Sequence, residues 1–373
     1  MSNRNNELFE PIIWKNFCDQ LDKTGNFIIE NSPSDSLNLS EGYRYLARLV
    51  NYSLGKFIEA PNVAKPIIDY NSPKIGGDNP DFLYGQCAIS GKLDYRISGV
   101  KNDAFNINFG SYFGGLGSDT GLQCSGNLQL KELNVSNDGK FEIFVSQNKF
   151  EGNWLTSINE TNSILIRQTL LNREKDIPAE IEINIIDENQ IHEDILPLDS
   201  ERLTNALNLS GLFVGGVVQQ FLAWTNNFMS TPNEINPTDP NLLKFANGDP
   251  DTFYHNGYFD LQPGEGLLVE LEPPACEYWN IQVANHWLES LDFLNFRTHY
   301  NHANAEVDLD GKYRFIISPT NPKISNWIDT VGHNCGCIAL RWNIADSNPN
   351  ANTEVIKLEN AEVRIAEQRA MIL

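Results

Sequence analysis

The chain is short of positive charge. Its 373 residues carry 27 Lys and Arg against 49 Asp and Glu, a formal net charge of −22. Nucleic acid or an anionic membrane would need a basic face, so neither is expected as a partner, and the acidity reads first as solubility. Cysteine is scarce as well. The six (18, 87, 124, 276, 335, 337) are scattered, which suits reduced thiols and not a disulfide framework. Long apolar runs are missing. The opening MSNRNNELFEPIIWKNF holds no run long enough for a signal peptide. The best membrane candidate, Leu207 to Trp224, is interrupted by Asn208, Gln219 and Gln220 before reaching the ~18 apolar residues of a span. The expectation is a cytoplasmic protein whose N-x-S/T sequons, such as Asn51-Tyr52-Ser53, carry no sugar.

Familiar chemical signatures are absent too. No G-x-S-x-G marks a nucleophile. The glycine-rich run Gly114 to Gly121 is followed by strand-like GNLQLKEL instead of a helix, and no Lys-Ser/Thr pair closes it, so it reads as a β connection and not a phosphate loop. His333-x-Cys335-x-Cys337 offers an imidazole and two thiolates on one strand face but no fourth sequence-local ligand, so no metal and no cofactor is expected. His299 and His302 fall in THYNHANAEV, which reads as a loop entering a hairpin with turn and surface roles.

What is there is a globular composition, 41% hydrophobic and 20% charged, with room for roughly two domains. Leu8 to Glu59 reads as helical. Ser40-Glu41-Gly42 opens a stripe of Tyr43, Leu46, Leu49, Val50, Leu54 and Phe57 at three- and four-residue steps, ended by Pro61 and Pro66. From Tyr84 to Ile186 the period changes to two, in short segments such as KLDYRISG, AFNINF and KFEIFVS separated by Gly, Asn and Asp. Helix returns at Ser200 to Ser230, with Leu209, Phe213, Val217, Phe221, Trp224 and Phe228 on one face and Gly211, Gly215 and Gly216 allowing close packing. Strands resume from Tyr254 to Ile344.

The chain also repeats itself. Asn79-Pro80-Asp81-Phe82-Leu83-Tyr84 recurs as Asp249-Pro250-Asp251-Thr252-Phe253-Tyr254, Phe105-Asn106-Ile107 as Trp279-Asn280-Ile281, and Asp138-Gly139-Lys140-Phe141 as Asp310-Gly311-Lys312-Tyr313. Asn153-Trp154-Leu155 recurs as Asn326-Trp327-Ile328, and Ile166-Arg167 as Leu340-Arg341. One order and a nearly constant offset point to internal duplication. The expected fold is mainly β with helices (α+β): two tandem antiparallel jelly-roll or sandwich-like β units, each preceded by helix. The boundaries read as a helical segment 1–78, a first β unit 79–187, a linking helical segment 188–248, and a second β unit with C-terminal tail 249–373. The two units are expected to pair about a pseudo-two-fold axis.

The order of the phrases EGYRYLARL, GGDNPDFLY, SGNLQLKEL, DGKFEIFVS, GDPDTFYHNGY, CEYWNIQVANHWLESLDF and SNWIDTVGH followed by ALRW resembles the bacterial domain-of-unknown-function 1214 family over nearly the whole chain. The resemblance implies a β-rich, jelly-roll-like fold and brings no settled reaction. After His333 this chain reads NCGC where a charged or glycine-rich turn is expected of the family.

For function, the stretch Cys276 to Ser290 stands out. Read as a strand, it places Tyr278, Asn280, Gln282 and His286 on one face and Trp279, Ile281, Val283 and Trp287 on the other. His286, Glu289, Asp329 and His333 are the acid/base candidates, and Tyr278, Asn280, Gln282, Trp327 and Arg341 the candidate ligand-binding residues, with tryptophans forming a dry, sugar-friendly wall. Arg167 and Arg341 sit in apolar strands, where burial requires a carboxylate or a row of carbonyls as partner. Two functions follow. One is a cofactor-independent hydrolase, lyase or isomerase acting on a small polar or glycan-like compound. The other is a non-catalytic module that binds a ligand or assembles into a homo-oligomer. The site is expected in the C-terminal half, because only that copy offers histidines at the equivalent strand and after the Asn-Trp motif.

Overall fold

The computed structural model describes residues 12–59, 62–187, 199–246 and 248–370. Among them the fold is α+β, with five helices and seventeen strands in four mostly antiparallel sheets. The first unit holds β1 (Phe82–Ala88), β2 (Tyr95–Val100), β3 (Asn106–Gly114), β4 (Leu122–Gln129), β5 (Lys140–Ser146), β6 (Trp154–Thr156), β7 (Ser163–Thr169) and β8 (Glu180–Ile185). They form two sheets, ordered β1-β7-β3-β4 and β6-β5-β2-β8. The second unit holds β9 (Ile235–Pro237), β10 (Thr252–Asp260), β11 (Glu265–Leu271), β12 (Cys276–Ala284), β13 (His299–Asn301), β14 (Tyr313–Ser318), β15 (Trp327–Asp329), β16 (Cys335–Ala345) and β17 (Asn352–Lys357). Its sheets run β9-β10-β16-β12-β13 and β15-β14-β11-β17. Apart from the added β9, the strand orders of the two units are the same.

In each unit alternation turns one face of both sheets inward. Ile107, Phe109, Ile143 and Ile166 fill the first sandwich core, and Trp279, Ile281, Phe315, Leu340 and Trp342 the second. The equivalence extends to single hydrogen bonds. Asn153 Nδ2 donates to the carbonyls of Glu142 (2.8 Å) and Asn134 (3.2 Å), and Asn326 Nδ2 to those of Arg314 (3.1 Å) and Glu306 (2.7 Å). Trp154 Nε1 donates to the Ser146 carbonyl at 3.0 Å, as Trp327 Nε1 does to Ser318 at 3.1 Å. At one strand the sequence alignment is off by two residues: Asn108 lies opposite Arg167 as Asn280 lies opposite Arg341, so the match to Asn280 is Asn108 and not Asn106.

The helices form a third core with one end of the second unit. α1 (Ile12–Asn31) and α2 (Ser36–Phe57) pack on α3 (Ser200–Phe228), and Tyr45, Leu49, Val217 and Phe221 meet Trp287, Leu288 and Tyr258 there. α4 (Pro240–Leu243) and α5 (Ala361–Ala370) are short additions. α3 is long and apolar enough to span a membrane by length and composition, and more than half of that window is buried inside the molecule. α2 opens at Ser36 with Asp35 as its N-cap, accepting from Asn38 N–H at 2.9 Å. Ser40, expected as the opener, lies inside the helix and bonds back to the Ser36 carbonyl at 2.6 Å. The buried face is rotated from the predicted stripe: Asn38, Glu41, Gly42, Tyr45, Leu49 and Ser53 point inward, while Tyr43 is exposed. Pro61, residues 1–11 and residues 188–198 lie outside the described residues. On α3 the predicted apolar face is buried except for Leu209, which is exposed. Gly216 and Gly117 do allow close packing: a Cβ on Gly216 would stand 2.0 Å from the Gly117 carbonyl oxygen. The run Gly114 to Gly121 joins β3 to β4 in that contact, as a β connection.

Candidate ligand-binding site

Each unit is entered through the same turn. Asn79 Oδ1 accepts from Asp81 N–H (3.0 Å), and Asn79 N–H donates to Tyr84 Oη (2.8 Å). In the second unit Asp249 Oδ1 accepts from Asp251 N–H (3.0 Å), and Asp249 N–H donates to Tyr254 Oη (3.0 Å). The two turns then reach into each other's units. Asp81 accepts from Tyr278 Oη (2.7 Å) and Asn301 Nδ2 (3.0 Å) and stands 3.1 Å from His299 Nε2. Asp251 accepts from Gln129 Nε2 (2.9 Å) and Asn127 Nδ2 (3.1 Å). Asn127 and Gln129 occupy on β4 the register positions that His299 and Asn301 occupy on β13, so the exchange follows a pseudo-two-fold axis. His299 is therefore a largely buried partner of Asp81, and the surface role expected for it is corrected.

This exchange brings the polar faces of the two large sheets together around a cavity of about 230 Å³. Tyr84, Tyr112 and Arg167 line it from the first unit, and Tyr254 and Arg341 from the second. Phe213, Phe221 and Trp224 of α3 form an apolar wall opposite. The segment 72–78 closes one side, with Gly76 and Gly77 both in the left-handed region (φ 64° and 73°). A Cβ on Gly76 would stand 2.5 Å from the Phe221 ring, so both backbone conformation and space demand glycine there.

Arg167 and Arg341 are only 8% and 7% exposed. Arg167 Nη1 donates to Asn108 Oδ1 (2.9 Å) and Tyr112 Oη (3.0 Å). Arg341 Nη1 donates to Gln282 Oε1 (2.8 Å) and Asn280 Oδ1 (3.4 Å), and its Nη2 to the Gly77 carbonyl. Among the described residues neither arginine forms an ion pair with a carboxylate; their partners are amide, phenol and carbonyl oxygens. The phenols do not supply the missing charge. Burial, followed by the nearby Asp249 carboxylate, pushes Tyr254 up to about 12, and burial raises Tyr84 and Tyr112 as well. The cavity thus holds two guanidinium groups that no carboxylate touches: Asp78 shares the lining but is bonded elsewhere, and Asp249 acts on Arg167 only at longer range, an incomplete neutralisation that is costly in a low-dielectric interior.

Of the candidate acid/base and ligand-binding residues, Arg341 lines this cavity, as does the repeat-equivalent Arg167, and Asn280 and Gln282 hold Arg341 in place. The others do not share a pocket with it, and this corrects the expected cluster. β12 ends at Ala284, and the chain folds into a turn in which Leu288 has φ 56°, so the alternation that put His286 on the polar face stops two residues short. His286 instead packs on the helices, with Nδ1 2.9 Å from Tyr258 Oη and Nε2 3.1 Å from the Asn31 carbonyl. Glu289 is fully buried and paired with Arg48 at 2.5 Å. His333 sits 2.8 Å from Glu41 and 2.7 Å from the Thr330 carbonyl. Asp329 accepts from Val331 N–H at 2.7 Å, and the Trp327 indole is engaged by Ser318. Tyr278 bonds Asp81 and Asn79. The tryptophans expected as a sugar-friendly wall are divided: Trp279 belongs to the second sandwich core and Trp287 to the helical core. Cys337 is buried beside Thr225, and Cys335 faces Asn38. The sequence reading missed Tyr84, Tyr112 and Tyr254. The recurring P-D-x-x-Y phrase was the signal that could have found the first and third.

A solved structure of an uncharacterized protein from Burkholderia cenocepacia is similar to this chain at 34% identity, covering 93% of this chain and 97% of that one, with a TM-score of 0.87. A Vibrio parahaemolyticus protein aligns over 92% of this chain and 99% of its own at 12% identity, with a TM-score of 0.47. No family model matches the chain. No curated protein matches it either.

Proposed function

The chain belongs to one family with the uncharacterized Burkholderia cenocepacia protein, and from the cavity built between its β units we propose that it binds a small organic anion there. The observation that carries this reading is the pair of buried arginines without a carboxylate partner, both lining one cavity. An anionic group between them would supply the missing counter-charge, and charge-assisted bonds to guanidinium are among the stronger polar contacts. The apolar wall of Phe213, Phe221 and Trp224 favours an anion with a hydrocarbon body over a neutral glycan. Binding without turnover is the better-supported function. No histidine lines the cavity among the described residues, and its one carboxylate, Asp78, is committed to the backbone N–H (2.8 Å) and hydroxyl (2.7 Å) of Ser290. The matched strand orders and hydrogen bonds support reading the halves as products of an internal duplication, with each copy contributing one arginine. Kinship with the domain-of-unknown-function 1214 family belongs to the same proposal.

The test is calorimetric titration with butyrate, benzoate and phenyl phosphate, alongside neutral sugars. At least one anion should bind, and Arg167→Met should weaken it roughly a hundredfold, about what losing a charge-assisted contact costs. Binding of neutral sugars alone, or anion binding indifferent to Arg167→Met, would overturn the reading.

A further inference from the structure

Beyond the anion cavity lies a second hollow of about 1450 Å³, between the helices and the β1 side of the first unit. The two adjoin: Tyr52, Ser72, Gln86, Gly115, Leu116 and Phe213 line both. Tyr52 Oη donates to Gln86 Oε1, and Gln86 Nε2 to Ser72 Oγ (2.5 Å), so three side chains tie α2, β1 and the 72–78 segment together where the hollows meet.

The outer hollow is unlike the inner one. Ile67 (80% exposed), Leu212 (63%) and Leu209 (49%) line it together with Phe57. A cluster of exposed aliphatic side chains beside a pocket mouth is unfavourable unless something covers it. Of the predicted inward face of α3, Leu209 and Phe213 line this hollow, and Leu209 is the exposed one. At the mouth, Lys56 lines both spaces, its Nζ 5.8 Å from the Tyr52 ring and 5.9 Å from the Phe213 ring, and it forms no ion pair among the described residues.

We propose that the two hollows hold one amphiphile, a long-chain carboxylate. Its head lies between Arg167 and Arg341, and its alkyl chain passes Tyr52 and Phe213 to lie over Leu209, Leu212 and Ile67. This rests on the anion reading of the inner cavity and adds the tail. The orientation follows from placement: the two nearly buried guanidinium groups line the inner cavity, and the exposed aliphatic side chains line the outer hollow. An alkyl chain needs no hydrogen-bonding partner there, and its burial gains free energy with every methylene covered.

Titration of the whole protein with butyrate, octanoate and dodecanoate tests this. Affinity should climb about fourfold per added methylene until the groove is filled. Leu212→Glu and Ile67→Glu alter exposed positions, and each should weaken dodecanoate roughly tenfold or more while leaving butyrate unchanged. Arg167→Met should weaken all three acids. Equal affinity for butyrate and dodecanoate, untouched by Leu212→Glu, would overturn the amphiphile and leave the anion pocket standing. Failure of every acid to bind, or indifference to Arg167→Met, would overturn both.

Discussion

His255 is a base with nowhere to put a proton. It is fully buried in the second unit, both ring nitrogens lack a hydrogen-bond partner among the described residues, and its ring lies edge-on to Trp342. Burial lowers its pKa from 6.5 to about 4. Burial also takes His286 to about 4, even though the Asn31 carbonyl and Asp35 pull the other way. Between these values the unfolded chain takes up protons that the native state refuses. Native stability is therefore intact above pH 6.5 and falls as the pH drops toward 4, by up to roughly 3 kcal/mol for the buried His255. His255→Leu should lose less of its urea midpoint than the parent protein between about pH 7 and about pH 5. Parallel loss in both would show that His255 does not set the acid limit. Single residues were the least legible part of the sequence. A histidine in an apolar run can be a base, a ligand or a packed ring, and only the end of β12 at Ala284 decides for His286.

Helix α2 is docked by polar groups that periodicity does not count. Glu41 reaches His333, Arg48 reaches Glu289, and the Trp287 indole donates to the Asn38 carbonyl at 3.1 Å. A stripe read from apolar residues alone came out rotated, because half of what this helix buries is polar. The presence of the helix and the change to a two-residue period at the first unit were plain, since both rest on long runs of pattern. Burial would lower the His333 pKa, but the Glu41 carboxylate outweighs it and raises it above 6.5. That contribution is fully present below pH 6.5 and is lost as the pH rises through the raised value. Glu41→Gln should therefore destabilise by roughly 2–4 kcal/mol near pH 6, as expected for breaking a buried pair, and by less near pH 8. Urea unfolding at the two pH values checks this. A penalty that stays constant or grows with pH would mean that the pair is not the docking contact.

At the scale of the molecule, the repeat was legible and the pairing was not. Recurring P-D-x-x-Y, Asn-Trp and Arg phrases gave two similar units, but no pattern in one chain states which faces of the units meet. The polar strand faces could have been turned to solvent. Instead each entry turn crosses to the other unit, and the two crossings are unequal. Asp81 is 2% exposed and takes donors from Tyr278, Asn301 and His299, while Asp251 is exposed and takes Gln129 and Asn127. Removing Asp81 takes the shared acceptor from Tyr278, Asn301 and His299 in a largely buried interface, whereas solvent can replace Asp251. Asp81→Ala should cost roughly 3–5 kcal/mol and Asp251→Ala about 1 kcal/mol. If these contacts join the units into one cooperative body, the parent protein and Asp251→Ala should each unfold in one transition, coincident by tryptophan fluorescence and far-ultraviolet circular dichroism. Asp81→Ala, with the stronger crossing removed, should separate the transitions of the two units. Equal costs for the two substitutions, or a single coincident transition in Asp81→Ala, would mean that the helical core joins the units and that the crossed turns serve only to shape the cavity.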